Sequence, residues 1–268
     1  MTKLKSTKKQ DLILNAIIKA YLEDHLPIGS SELQAKMAIE ISASTIRSYF
    51  QKLSNDGILM QLHISSGRIP TKKALKDYWI EKLEFDDVLS LKSMSVIREI
   101  VKDFGLFCVL EFNEKEILKE IINVNERFIL LVFNDSEMSI NYSNEAFRFL
   151  LSLVGINIYE LRNLASKVGF NELEVKLDKM MVGNILFKEG EEIVHEMIKD
   201  SNNQLFYSLY KNENSFLEIK DGIYFDYIVN DGYMAVKHKV KVEEMDAKLL
   251  CLGKLEVDFE SFFNTVKE

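Results

Sequence analysis

Apolar positions in the first quarter of the chain recur with helical spacing. Over 8–24, Ile13, Ala16, Ile17, Ala20 and Tyr21 fall three or four residues apart, which places them on one face of an amphipathic helix. Pro27-Ile28-Gly29 breaks that helix, and Ser30 is positioned to cap a second one over 31–37 with Leu33 and Met37 turned inward. Ser42 then caps a third helix, whose Ala43, Ile46, Phe50 and Leu53 form an apolar stripe. Asn55-Asp56-Gly57 stops it, 58–62 reads as a strand, Ser65-Ser66-Gly67 as a turn, and Arg68-Ile69 as a returning strand that Pro70 ends. Three helices followed by a hairpin predict the winged form of helix-turn-helix. Thr71 caps a further helix carrying Leu75, Tyr78, Trp79 and Leu83, and a boundary follows near residue 83.

Beyond it, Val88, Leu91, Met94, Ile97, Val101 and Phe104 predict a linker helix over 84–104, whose stripe is either core or a dimer seam. The period then shortens. Runs at 106–112, 127–133 and 138–142 are aromatic and β-branched and predict strands. Residues 145–205 return to helical spacing, punctuated by Gly155, Gly169, Gly183 and Gly190. Strands resume at 216–219, 223–229, 233–242 and 249–259, with Asp221-Gly222 and Asn230-Asp231-Gly232 as hairpin turns. Strands, helices, strands give an α+β domain over 105–144 and 206–268, interrupted by a helical segment at 145–205.

Charge sharpens this division. The chain has 268 residues, 47% of them hydrophobic, and a net charge of −8. Residues 1–82 nevertheless carry 13 Lys and Arg against 8 Asp and Glu, a net of +5, which leaves −13 on the remainder. A basic module joined to an acidic body suits a partner that is itself a polyanion. Candidate chemistry of other kinds is sparse. His25, His63, His195 and His238 are scattered, Cys108 and Cys251 lack metal-ligand spacing, and no Walker loop, G-x-G-x-x-G or G-x-S-x-G occurs. No enzyme, metal or cofactor is expected. The two cysteines sit in strand-like runs; a disulfide between them needs a geometry the sequence does not supply, and two buried thiols fit a reducing cytoplasm. Asp11 and Asn15 interrupt the first apolar run, so neither a signal peptide nor a membrane span is expected, and the protein should be cytoplasmic.

The third helix turns Ser44, Thr45, Arg47, Ser48, Gln51 and Lys52 outward. Small polar residues and a fork-shaped cation on a short helix are what the major groove admits and reads. His63, Ser65, Ser66, Gly67 and Arg68 form the expected wing, with glycine letting the backbone approach a phosphate and Arg68 reaching phosphate or the minor groove. Thr71, Lys72 and Lys73 follow; cations in the first turn of a helix are disfavoured unless phosphate is near.

These residues resemble a known family. Ile28-Gly29-Ser30, Thr45-Ile46-Arg47, Leu53 with Gly57, and above all His63-Ile64-Ser65-Ser66-Gly67-Arg68-Ile69-Pro70-Thr71 are similar to the HrcA heat-inducible transcription repressors. Ser31, Ser48, Leu62 and Ser66 depart from the family's usual residues, as does Ala74-Leu75. The resemblance implies a GAF-like α+β domain interrupted by a dimerisation segment. It also implies a homodimer on the inverted-repeat CIRCE operator upstream of chaperone genes, and dependence on the GroE chaperonin. The alternative is a winged-helix regulator whose GAF-like domain senses a small molecule.

Overall fold

Three helices open the chain as their spacing predicts. In a computed structural model, α1 (Lys8–Asp24), α2 (Ser30–Lys36) and α3 (Ala43–Asn55) close around Ile13, Ile17, Ile28, Leu33, Ile41, Ile46, Phe50 and Leu53. The structure describes residues 8–38, 40–63, 66–83, 88–112, 116–182, 185–199, 219–226 and 228–268. Ser42 caps α3 by accepting the Thr45 N–H at 3.2 Å. The second helix starts a residue earlier than expected: Gly29 is its N-cap, and its own N–H donates to the Glu32 carboxylate at 3.3 Å, so Ser30 is the first helical residue.

β1 (Leu59–Met60) and β2 (Ile69–Pro70) form a two-stranded antiparallel ribbon. Pro70 pairs with Leu59 and is the last residue of β2, so the strand ends at the proline, whose missing N–H could not extend the ladder. α4 (Lys72–Lys82) begins at Thr71, whose Oγ1 accepts from the Ala74 N–H at 3.3 Å.

The predicted helix over 84–104 is divided. Residues 84–87 lie outside the described residues, β3 (Leu89–Leu91) follows, and helix begins only with α5 (Met94–Phe104). Its Ile97 and Val101 are buried against a sheet, so that stripe is core and not an open seam. β4 (Phe107–Phe112) enters this sheet. The chain then builds a separate meander, β5 (Glu120–Val124), β6 (Phe128–Val132) and β7 (Glu137–Asn141), covered by α6 (Asn144–Leu151), α7 (Ile158–Lys167) and α8 (Asn171–Val182). Ile121, Ile129, Leu131, Ile140, Leu161 and Leu177 belong to a core of its own. Within the stretch 105–144, then, β4 shares a sheet with the C-terminal strands, while the strands at 120–141 form a sheet of their own. The helical run expected over 145–205 is also broken, by β8 (Ile185–Glu189), which returns to pair antiparallel with β4; residues 200–205 lie outside the described residues.

After β8 come α9 (Glu191–Lys199), β9 (Gly222–Tyr224), β10 (Tyr233–Val242), β11 (Met245–Lys254) and α10 (Phe259–Val266). The strand expected at 216–219 falls mostly outside the described residues, and that at 223–229 is shortened to β9. The large sheet runs β3-β10-β11-β4-β8, with β9 also on β10. Both faces are buried: α5 and α10 lie over Cys108, Leu110, Val236, Leu249 and Cys251, while α9 lies over Phe107, Val109, Ala235 and Leu250. Burial on both sides explains why these strands read as continuous apolar runs. The last predicted strand, 249–259, ends at Lys254. Asp258 then caps a helix whose Phe259, Phe262, Phe263 and Val266 stand at i, i+3, i+4 and i+7.

The whole is a mixed α+β protein in which the N-terminal helices are not loosely tethered. Ile18 and Leu22 of α1, and Leu75, Tyr78, Trp79 and Leu83 at α4, belong to the same buried cluster as α5, α10 and the sheet. Trp79 is 0% exposed; its Nε1 donates to the Leu255 carbonyl at 2.8 Å, and its ring meets Phe259 edge-on at 5.7 Å.

Candidate nucleic-acid interface

The face of α3 opposite its buried stripe carries Ser44, Arg47, Ser48, Gln51 and Lys52, all exposed. Two of these are partly occupied locally: Ser44 Oγ lies 2.9 Å from Ser42 Oγ, and Ser48 Oγ donates back to the Ser44 carbonyl at 3.2 Å. Thr45 is half-buried, its hydroxyl 2.9 Å from Ser42 Oγ, and so belongs to the cap more than to the outer face. No described residue holds the polar ends of Arg47, Gln51 or Lys52. The structure thus brings three long, unengaged side chains onto one side of a helix, the arrangement that direct reading of base edges and phosphates needs.

The hairpin beside α3 is braced by residues that the sequence assigns to contact. Ser66 Oγ donates to the His63 carbonyl at 2.8 Å and accepts from the His63 N–H at 3.0 Å, which closes the turn. Gln61, which the sequence pattern did not single out, donates to the Ser66 carbonyl at 2.9 Å. His63 is exposed, and Ser65 lies outside the described residues. Arg68 is turned inward: its Nε donates to Ser54 Oγ at 3.2 Å, tying the hairpin to the end of α3. Its backbone exchanges hydrogen bonds with Ile28 at 2.9 and 3.0 Å, tying the hairpin to the α1–α2 turn as well. Gly67 is small for a reason other than phosphate approach. A Cβ there would stand 2.3 Å from the Ile28 carbonyl carbon and oxygen.

Thr71 is occupied at both ends of its chemistry, capping α4 and donating to the Gly57 carbonyl at 3.1 Å. Lys72 and Lys73 differ. Lys73 is exposed, whereas the Lys72 ammonium lies 2.7 Å from Asp231 on the body. Lys76 joins it, 2.6 Å from Asp226 and 3.5 Å from Asp231. Some 150 positions separate these partners, so no local signal in the sequence announces them. The Lys72 hydrogen bond holds the Asp231 carboxyl below its ordinary range and raises the Lys72 ammonium above its own. A depressed carboxylate contributes stability above its unfolded pKa, about 4, and loses it as pH falls through the folded value. The raised lysine contributes below about 10.4 and loses it at higher pH. Both groups are largely exposed, so the gain is small and salt-sensitive. Thermal midpoints of wild type and Asp231→Asn should differ slightly at neutral pH and low salt, and converge as pH falls below about 4.

Among the described residues no group of three or more His, Cys, Asp or Glu is placed to hold a metal ion, and no helix is long and apolar enough to cross a membrane.

Comparison with known proteins first gives a class. A heat-inducible transcription repressor of Helicobacter pylori strain J99 is 32% identical over 261 residues, 97% of this chain and 95% of its own. Its counterpart in strain 26695 is 33% identical over 265 residues, with the same coverage of each. A crystal structure described as that of a hypothetical protein aligns over 97% of this chain and 95% of its own, at 17% identity and a TM-score of 0.49. Both relatives are heat-inducible transcription repressors, and residues 79–268 match the HrcA C-terminal domain. The chain belongs to the HrcA family.

Proposed function

We propose that the protein represses heat-shock genes by binding an inverted-repeat operator of the CIRCE type as a homodimer in the cytoplasm. Residues 8–83 act as a winged helix-turn-helix module, with α3 in the major groove and the β1–β2 hairpin as wing. The observation that carries this is the open face of α3, where Arg47, Gln51 and Lys52 project with no partner among the described residues, in a chain whose residues 1–82 carry a net charge of +5 and whose remainder carries −13. Ser44 and Ser48 complete the reading face. His63, Ser65 and Lys73 contact the backbone, while Ser66, Gly67, Arg68 and Thr71 hold the wing in place; Lys72 reaches phosphate only by leaving Asp231.

The sheet with α5, α9 and α10 forms a GAF-like domain, interrupted between β4 and β8 by the 116–182 unit, which dimerises. Support comes from the outer face of that unit, where Ile122, Val124 and Phe128 are 37%, 39% and 47% exposed on neighbouring strands. A two-fold operator requires two recognition helices held at fixed separation. Repression is steric, and GroE keeps the repressor folded until heat diverts it, which requires a body of marginal stability.

Arg47→Ala tests the reading face. Operator affinity in gel shift should fall roughly 10- to 100-fold, while binding to a scrambled duplex changes little. Equal loss on both duplexes would reduce Arg47 to a phosphate clamp.

A second reading has one observation in its favour. A hollow of about 360 Å³ at the junction is lined by Ile80, Leu83, Asp221, Gly222, Ile223 and His238, and falls within the range of small-molecule sites. A ligand there would touch the end of α4 and so bias the DNA-binding module.

A further inference from the structure

The chain has two cysteines, 143 positions apart, and the fold places them face to face. Cys108 on β4 is the direct antiparallel partner of Cys251 on β11. Their Sγ atoms are 2.6 Å apart, both residues are 0% exposed, and both lie in the core beneath α5 and α10. Neither takes part in the DNA-binding reading. Facing residues on antiparallel strands have Cβ atoms about 4.5–5.5 Å apart, and a disulfide asks for about 3.5–4.5 Å. Little strand movement separates the thiol pair from a bond.

We propose that Cys108 and Cys251 are a modification site, joined by an intramolecular disulfide when a peroxide reaches them through thermal opening of the sheet. One thiolate attacks the peroxide O–O bond, becoming a sulfenic acid and releasing hydroxide. The second sulfur attacks the sulfenic sulfur, and the displaced hydroxide leaves as water with the thiol proton. In sum two thiols and one hydrogen peroxide give one disulfide and two waters; each sulfur gives up one electron and the peroxide takes two.

Temperature enters through access. Burial first, and then the hydrogen bond to Cys251, push the Cys108 thiol well above its ordinary range, and the protonated thiol is the unreactive form. Reaction therefore waits for β4 to loosen. Its outer neighbour β8 is the edge of the sheet, and their register shifts between Leu110 and Glu111, which makes this the side to part first. Once formed, the bond closes a very long loop and restricts the unfolded chain. Oxidised protein should then withstand heat that opens the reduced form.

The test uses the full chain with Cys108→Ser and Cys251→Ala beside it. Hydrogen peroxide is applied at ambient temperature and just below the melting midpoint, followed by unfolding in an alkylating reagent, intact mass measurement and peptide mapping. The wild type should lose both alkylatable thiols and two hydrogen atoms, faster when warm, with one peptide pair joining Cys108 to Cys251. Its melting midpoint should rise by about 5 °C or more and fall back with dithiothreitol. Neither variant should gain the midpoint shift. Two thiols still alkylatable after warm treatment, or their conversion to sulfinic acid or to intermolecular dimers, would overturn the proposal. If a variant fails to fold, the wild-type thiol count and peptide map decide alone. Neither readout involves DNA, so the outcome is independent of the operator reading.

Discussion

Trp79→Ala should destabilise the protein by about 3–5 kcal/mol in chemical denaturation, the usual range for deleting a fully buried tryptophan. The indole is 0% exposed and stands where α4 meets the body, against Tyr78 on one side and Phe259 on the other. Truncation leaves a cavity and also strips the Leu255 carbonyl of its donor. Trp79→Phe separates the two losses, because it keeps a ring but not the N–H. It should cost about 1–3 kcal/mol for the unpaired carbonyl, plus a share of the packing. The functional consequence is distinct from global unfolding. Ile18 and Leu22 of α1 share this cluster, so loosening it frees the helical module to reorient against the body. In the alanine variant, hydrogen exchange should rise first at α4 and α10, ahead of the core of β5–β7 and α6–α8, which has no part in this cluster. Uniform exchange across both cores would mean that the junction is not a separate unit of stability.

Gly67→Ala should be nearly as damaging, by about 2–4 kcal/mol, through overpacking and the loss of two backbone hydrogen bonds. The added methyl would stand 2.3 Å from the Ile28 carbonyl, and a backbone neighbour cannot step aside as a side-chain tip can. The hairpin must retreat, breaking the Ile28–Arg68 pair and the Arg68–Ser54 contact with it. Gly57 is the natural control. Its φ is +70°, with nothing within 4 Å of an added Cβ, so alanine there meets only the left-handed backbone penalty, about 1–2 kcal/mol. Exchange at the Ile28 and Arg68 amides reports the difference: fast in Gly67→Ala, close to wild type in Gly57→Ala.

Legibility followed the range of the interactions. α1, α3 and α4 could be read nearly residue by residue, because the Ser42 and Thr71 caps and the apolar stripes are local signals. β5 escaped because Ile121 and Ile122 point to opposite faces and are both apolar, which erases the alternation. α10 went unread: the strand expected over 249–259 overran the Lys254 end of β11, and the helical spacing of Phe259, Phe262, Phe263 and Val266 was not assigned to any element. The β10–β11 turn, Glu243-Glu244, has positive φ at both residues without a glycine to mark it. Which strands share a sheet was not local at all: β4 and β8 are neighbours across the whole 116–182 unit.

The site divides the same way. The outward face of α3 was legible from its complement, the buried stripe. The bracing roles of Ser66, Gly67, Arg68 and Thr71 were not, since they depend on Ile28, Ser54 and Gly57 approaching in three dimensions. Of the two lysines read as phosphate ligands, Lys73 is exposed, while Lys72 is held by Asp231, a partner 159 positions away that no local pattern announces.

The most direct test of the central claim is a quantitative footprint of the purified full-length protein on a CIRCE-type inverted repeat and on a scrambled duplex of equal length, at two salt concentrations and with stoichiometry measured. Operator binding should exceed scrambled binding by roughly 10³-fold or more, weaken steeply with salt, and saturate at two protomers per operator with both half-sites protected. Equal weak protection of both duplexes by freshly folded protein, unchanged by added chaperonin, would contradict it.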